Sequence, residues 1–303
     1  MALMQCKEFY AKNHQIKKYD SSGNLLFSFG RLGTGRSEFN EPSQLTTDKE
    51  GKIYVVDSKN NRIQVFDNNG NYIKEFGASE EPYYSFTPTD VAVDDFGNLY
   101  VTDIKNHQVF IIYNTGSLKK RFGTKGKGKG QFNGPFLRIA VDSNSFIYVL
   151  EGYDPTRIQK FNSNGEYITS FGSSVTEDAQ IEYPEVVEAD ANGNFFVADH
   201  INGVIKKFDR NANLLFTFGS RKDSNGHFKN LIADLESDKF GNLYVLEPNA
   251  KGSVQKFNSR GEFITRFAPT SSTGTLTSEA PLNPNIMEID PDGNIYLTDK
   301  SFI

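Results

Sequence analysis

Short runs of alternating apolar and polar residues, separated by turn residues, fill the chain from end to end, and no stretch sustains a helical period. One phrase within this pattern recurs six times: Gly51-Lys-Ile-Tyr-Val-Val-Asp57, Gly97-Asn-Leu-Tyr-Val-Thr-Asp103, Ser145-Phe-Ile-Tyr-Val-Leu-Glu151, Gly193-Asn-Phe-Phe-Val-Ala-Asp199, Gly241-Asn-Leu-Tyr-Val-Leu-Glu247 and Gly293-Asn-Ile-Tyr-Leu-Thr-Asp299. The steps are 46, 48, 48, 48 and 52 residues, a period that with strand-like content predicts a closed array of repeated sheets. Each repeat divides into four strands. The first ends in Asp (Asp48, Asp94, Asp142, Asp190, Asp238, Asp290) and enters an Asp-x-x-Gly turn. There the carboxylate can bond the turn backbone, and Gly supplies positive φ. The second strand is the recurring phrase. The third is Arg62-Ile-Gln-Val-Phe66 or a relative, and the fourth ends at Phe-Gly, as in Phe76-Gly77 and Phe122-Gly123. Ser145 and Ala212 stand where the turns call for Gly, at a cost on the order of 1 kcal/mol each if the backbone there is left-handed.

The two ends carry complementary halves of a repeat. Residues 14–29 match strands three and four, and residues 285–299 match strands one and two, so the termini are expected to share one sheet and close the ring without a bare edge. The expected fold is all-β: a six-bladed β-propeller of four antiparallel strands per blade. Five blades fall near 42–76, 88–122, 135–171, 184–218 and 231–267, the sixth is shared, and 1–13 form a lead-in to a single domain over 14–303.

Composition narrows the function less than the fold. The 303 residues carry 33 basic and 38 acidic side chains, a net charge of −5, which disfavours a generic nucleic-acid binder while leaving room for a local basic patch. The single cysteine, Cys6, allows neither an internal disulfide nor a cysteine zinc site. No stretch reads as a signal peptide or approaches the ~20 apolar residues of a membrane helix. A cytoplasmic protein and a soluble domain of an exported parent are both consistent with this, and membrane insertion is not expected.

Gly-Asn-Leu-Tyr-Val-x-Asp, followed by Asn-x-Arg-Ile-Gln-Val-Phe and then Phe-Gly-x-x-Gly-x-Gly-x-x-x-Phe-x-x-Pro, resembles the NHL repeat. Residues 57–67 are the closest copy of the core and 122–135 a good copy of the linker. The resemblance covers about residues 14–303 and implies the six-bladed ring. WD40 and kelch patterns do not fit, since the chain has no Trp and no paired-glycine blade mark.

In such a ring, the loops joining strands two to three and four to one emerge on one face, and the short Gly turns on the other. The long, variable loop face is the better candidate for binding. Its candidate residues are Lys59, Arg62, Lys105, His107, Lys125, Lys127, Lys129, Arg157 and His200, with Lys125, Lys127 and Lys129 spaced along a Gly-rich linker. Such a linker suits phosphate, an acidic glycan or a nucleic-acid backbone. NHL propellers of animal regulators, which this chain resembles, bind RNA on such a face.

A second candidate lies at the ring's centre. Two residues before each strand-one Asp stand Thr46, Ala92, Ala140, Glu188, Glu236 and Glu288. If that register faces the channel, three carboxylates line one side, with Asp90, Arg138 and Asp234 near the mouth. Clustered carboxylates suit Ca²⁺ or another divalent cation, and some of their pKa values should rise. Six-bladed lactonase-like and amidating-lyase-like enzymes, which resemble this arrangement, use a channel metal. His14, His107 and His200 lie on loops of alternate blades, roughly 20 Å or more apart by strand spacing. A three-histidine zinc site is therefore not expected. The acids ending each second strand occur in every blade and are read as structural.

The expected function is thus a non-enzymatic scaffold, with no cofactor, that offers its loop face to a protein or peptide, or else a glycan. The alternatives are a channel-metal hydrolase or lyase built on Glu188, Glu236 and Glu288, and RNA or anion binding through the lysine linker.

Overall fold

A computed structural model of the chain describes residues 14–77, 86–134, 137–152, 156–172, 181, 184–190, 192–229, 231–247, 253–268 and 284–298. The lead-in 1–13 with Cys6, the acid Asp299, and most or all of the linkers 78–87, 173–183, 248–252 and 270–283 lie outside the described residues. Six four-stranded antiparallel sheets form the predicted six-bladed propeller. Blade 1 comprises Pro42–Thr47, Ile53–Asp57, Arg62–Phe66 and Tyr72–Phe76. Blade 2 comprises Pro88–Val93, Leu99–Asp103, Gln108–Ile112 and Leu118–Phe122. Blade 3 comprises Leu137–Val141, Ile147–Glu151, Arg157–Phe161 and Tyr167–Phe171. Blade 4 comprises Pro184–Ala189, Phe195–Asp199, Val204–Phe208 and Leu214–Phe218. Blade 5 comprises Asp234–Ser237, Leu243–Glu247, Ser253–Phe257 and Phe263–Phe267. Blade 6 joins Met287–Ile289 and Ile295–Thr298 to Ile16–Tyr19 and Leu25–Phe29. Its seam is an antiparallel pairing in which Ile16 faces Thr298 and Tyr19 faces Ile295. Among the described residues the one helical element is a single 3₁₀ turn at Ser58–Asn60.

Turn chemistry explains the regularity. Asp48 Oδ1 accepts from the backbone nitrogens of Glu50 and Lys52, closing the turn around Gly51 at φ 78°. Its Oδ2 accepts from the Tyr54 hydroxyl at 3.0 Å. The same Tyr-to-Asp bond recurs as Tyr100–Asp94, Tyr148–Asp142, Tyr244–Asp238 and Tyr296–Asp290. In blade 4 the tyrosine is Phe196, and Lys207 Nζ reaches Asp190 instead at 3.1 Å. The Tyr of the repeated phrase is therefore an anchor for the turn between the first and second strands.

Packing happens between blades. Ile63, Val65 and Phe76 of blade 1 meet Val91, Leu99, Val101 and Phe110 of blade 2, with Phe86 of the linker filling the join. The Phe-Gly ending belongs to this arrangement. Gly123 has φ 103°, and a Cβ there would stand 2.5 Å from the ring of the linker residue Phe132. Only glycine lets that ring close over the strand end.

Candidate functional site

On the loop face, strand-two-to-three loops and linkers interlock: Asn60 Nδ2 donates to the Gly33 carbonyl at 2.9 Å, and the Lys59 backbone nitrogen donates to Asn40 O at 3.1 Å. The acids that end the second strands organise this layer. Asp57, fully buried, accepts from Asn40 N, Asn60 Nδ2, Arg62 Nε and Gln64 Nε2. Glu151 accepts from Asn133 N, Arg157 Nε and Gln159 Nε2. Asp103 and Asp199 take amide donors from Asn106 and Asn202 of their own loops.

Arg62 and Arg157 are buried within the same layer. Beyond its 2.7 Å pair with Glu151, Arg157 donates Nη1 to the Lys127 carbonyl and Nη2 to the carbonyls of Gly128 and Gln131, at 2.8, 3.0 and 2.8 Å. Arg62 does the equivalent for Gly35 and Glu38. Both guanidiniums are spent on holding linkers, so on this face they position other groups. Lys125, Lys127 and Lys129 are exposed on the linker that Arg157 holds. That linker is further closed by a parallel pairing of Thr124–Lys125 with Gln131–Phe132, and by Gly128 N and Gly130 N donating to the side chains of Gln131 and Gln159. Lys129 Nζ stands 5.7 Å from the centre of the Tyr167 ring. Lys59 is exposed and lies 3.5 Å from Glu41, and Lys105 is exposed.

The histidines stay apart. His14 and His107 share a left-handed backbone position with Asn61, at φ 49°, 55° and 53°. His14 Nδ1 accepts from Glu41 N at 3.1 Å, and burial lowers its pKa. His107 is half-buried with Nδ1 lacking a hydrogen-bond partner. His200 is half-buried, and burial and then Arg221 push its pKa down. Among the described residues no three His, Cys, Asp or Glu side chains are grouped so that they could hold a metal ion.

The innermost strands enclose a channel cavity of about 430 Å³. Glu188, Glu236 and Glu288 line it on blades 4 to 6, facing Thr46, Ala92 and Ala140, with Asp90, Arg138 and Asp234 also on its wall. An innermost strand has one unpaired edge, and the channel acids satisfy it from the preceding blade. Glu188 Oε1 accepts from Ser237 N and Oγ at 3.2 and 2.9 Å. Glu288 Oε1 accepts from Thr47 N and Oγ1, both at 2.9 Å. One step nearer the mouth, Asp90 Oδ2 accepts from Ile139 N and Asp234 Oδ2 from Met287 N, each at 2.9 Å. Glu236 breaks the series, because the residue it would reach in the next blade is Ile289, with no hydroxyl. It shares a side-chain hydrogen bond with Glu288 instead.

Burial raises the pKa of every one of these acids. Glu188 is pushed up to about 8, with the Ser237 donors pulling the other way. Asp234 is pushed up to about 7 against the pull of Arg138. Burial, then Glu288, Glu188 and Asp234, drive Glu236 well above the ordinary range, and burial with Glu188 does the same for Glu288. Two of these glutamates spend an oxygen on the next blade, and the third shares a hydrogen bond with its neighbour. The stitching left a trace in the sequence. At the residue just before the turn Asp, a hydroxyl occurs only in the two blades, Thr47 and Ser237, that follow a satisfied glutamate.

These features define a six-bladed β-propeller stitched through its channel. The chain carries NHL repeats: a family model described as the NHL repeat matches residues 39–66 and 87–112. It is similar to protein brain tumor of Drosophila melanogaster, 28% identical over 106 residues that make up 34% of this chain and 10% of that protein. The chain thus spans about a tenth of the length of that curated relative. Among solved structures, a streptogramin B lyase aligns with a TM-score of 0.60 at 15% identity, over 94% of each chain. A catalytically inactive virginiamycin B lyase from Staphylococcus aureus with quinupristin aligns with a TM-score of 0.60 at 13% identity, over 95% of this chain and 88% of the other. These two likenesses are of fold alone. No helix among the described residues is long and apolar enough to cross a membrane.

Proposed function

We propose that the chain is a binding scaffold whose loop face receives an acidic segment of a protein or peptide partner on the linker bearing Lys125, Lys127 and Lys129. The observation that supports this is the hold of Arg157 on that linker, through three carbonyls at 2.8 to 3.0 Å. A linker ordered before binding loses little conformational entropy on binding, so its charges act at lower cost. Residues 118–134 contain six basic side chains and no carboxylate. The channel-metal hydrolase or lyase has less support, since no three donors among the described residues are grouped for an ion.

The test is fluorescence anisotropy with a labelled oligoglutamate peptide and, in parallel, a single-stranded RNA of equal charge. Replacing Lys125, Lys127 and Lys129 by Ala is expected to weaken peptide binding by about tenfold or more, with binding that also falls as salt rises. Peptide binding that ignores the triple substitution would sink the proposal. RNA binding in preference to peptide, lost in the same variant, would transfer the site to a nucleic-acid partner.

A further inference from the structure

We propose that the central channel is a binding site for an alkyl ammonium group, held by Glu236 with Glu188 and Glu288, and with Gln44 supplying a further acceptor. Three observations carry the inference. The first is shape: a cavity of about 430 Å³ in which the glutamates of blades 4 to 6 stand at the same level as Thr46, Ala92 and Ala140 of blades 1 to 3. At the level of the glutamates the three opposite side chains are small and leave room for an aliphatic stem. The second is Gln44, a cavity-lining residue 7% exposed, whose Oε1 is a buried acceptor without a hydrogen-bond partner. Its amide donates to Asp90. The neighbouring backbone donor, Val91 N, is taken by Asp90 Oδ1 at 2.8 Å. The Gln44 acceptor is therefore open to a donor that a ligand can bring. The third is Glu236, which, unlike Glu188 and Glu288, accepts from neither a backbone nitrogen nor a hydroxyl of the following blade among the described residues and shares only a side-chain hydrogen bond with Glu288.

The chemistry these acceptors match is a donor-only cation. An ammonium offers three N–H donors and no acceptor, and it is satisfied at N–O separations of about 2.8 Å from oxygens that need not converge as they must on a divalent ion. Carboxylates outnumber cations along the whole cavity lining, where Lys49, Arg138 and Lys239 stand against Asp90, Glu188, Asp234, Glu236, Glu288 and the turn aspartates, so the field favours a cation. Binding is linked to protons. Glu188 and Glu236, both raised by burial, must shed protons to pair with the ligand, so affinity rises with pH and protons are released.

The ammonium could belong to a free polyamine or to a lysine side chain of a partner, and calorimetry with two probes separates these sources. Spermidine and the peptide acetyl-Gly-Lys-Gly-amide are titrated into the whole chain at about pH 6 and about pH 8. The expected result is binding of one or both, tighter by about tenfold at the higher pH. Glu236→Gln, which keeps the shape and removes the charge, is expected to weaken it by about tenfold or more. Thr46→Lys, which tethers an ammonium opposite the glutamates, is expected to abolish it while the fold persists by circular dichroism. Spermidine alone binding assigns a free amine, and the peptide alone binding assigns a protein lysine. No binding of either probe, binding indifferent to both substitutions, or binding of Ca²⁺ in place of the amines would each overturn the proposal.

Discussion

Glu288 of the last blade holds Thr47 of the first, 241 residues away along the chain, through Oε1 at 2.9 Å from both the threonine nitrogen and its hydroxyl. The bond crosses from the shared blade to blade 1 and so reinforces closure of the ring beside the strand seam itself. Thr47→Val keeps the shape and the backbone donor but removes the hydroxyl. It is expected to lower stability by about 1 kcal/mol. Ser237→Ala, the matching change under Glu188, should cost a similar amount, and the two should add because they lie on different blades. Urea denaturation of the single and double variants checks both statements; a double variant no weaker than either single would contradict them.

Channel acids make stability fall as pH rises. Glu188 ordinarily titrates near 4.5 and is pushed up to about 8, and Asp234 ordinarily titrates near 3.8 and is pushed up to about 7. Below those ordinary values both the folded and the unfolded chain hold the protons, and the acids cost nothing. Between the ordinary and the raised values the folded chain retains protons that the unfolded chain has shed, so stability declines with each step up in pH. Glu236→Gln removes the acid with the most like-charged neighbours. The variant is expected to match the parent near pH 4 and to exceed it near pH 8 by about 1.4 kcal/mol for each pKa unit relieved. His14 and His200, both lowered by burial, act in the opposite direction as pH falls below about 6.5, but equally in parent and variant. Melting curves of the two proteins across this range give the difference directly.

What was legible in the sequence was what local chemistry decides. The Asp48 turn, its Gly51 and the Tyr54 anchor lie within six residues of one another, and their recurrence spelled out the blade. The offset of residues 14–29 against 285–299 disclosed the shared blade, because strand order alone requires it. The position of Glu188, Glu236 and Glu288 on the channel wall followed from register. Their partners did not: the Glu288–Thr47 bond exists only once the ring has closed. Although the acids ending the second strands were legible as their partners, Arg62 and Arg157 read as loop-face binding candidates for the same reason. The carbonyls they bind lie 24 to 30 residues away in linkers whose path the alternation pattern does not specify.

Arg157 should therefore govern stability and loop order together. Arg157→Ala leaves Glu151 fully buried with, among the described residues, Gln159 and the Asn133 amide as donors, and it frees the carbonyls of Lys127, Gly128 and Gln131. Removing one member of a buried ion pair costs about 3–5 kcal/mol. Arg157→Lys keeps the charge without the fork that reaches several carbonyls, and should recover only part of this loss. Hydrogen exchange is the informative readout: amides of Gly126, Gly128 and Gly130 should lose protection in both variants, while those of the opposite blade 6 keep theirs.

The two turn positions without glycine should respond differently to receiving it. Ser145 and Ala212 both have left-handed backbones, at φ 59° and 66°, which strains a side chain by about 1–2 kcal/mol. At Ala212 the methyl group packs beside the cluster containing Phe195 and Phe208, a contact worth less than the strain it entails. Ala212→Gly is expected to raise stability by a few tenths to about 1 kcal/mol. At Ser145 the hydroxyl donates to Asp94 Oδ2 of the preceding blade at 3.2 Å, in a buried setting where Tyr100 donates to the same oxygen. Ser145→Gly relieves the same strain but gives up this inter-blade bond, worth about 1 kcal/mol. Its net effect is expected to be near zero, and Ser145→Ala, which keeps the strain and loses the bond, should be the least stable of the three. Equilibrium denaturation ranks them; a Ser145→Gly gain as large as that of Ala212→Gly would mean that the hydroxyl contributes nothing across the blade interface.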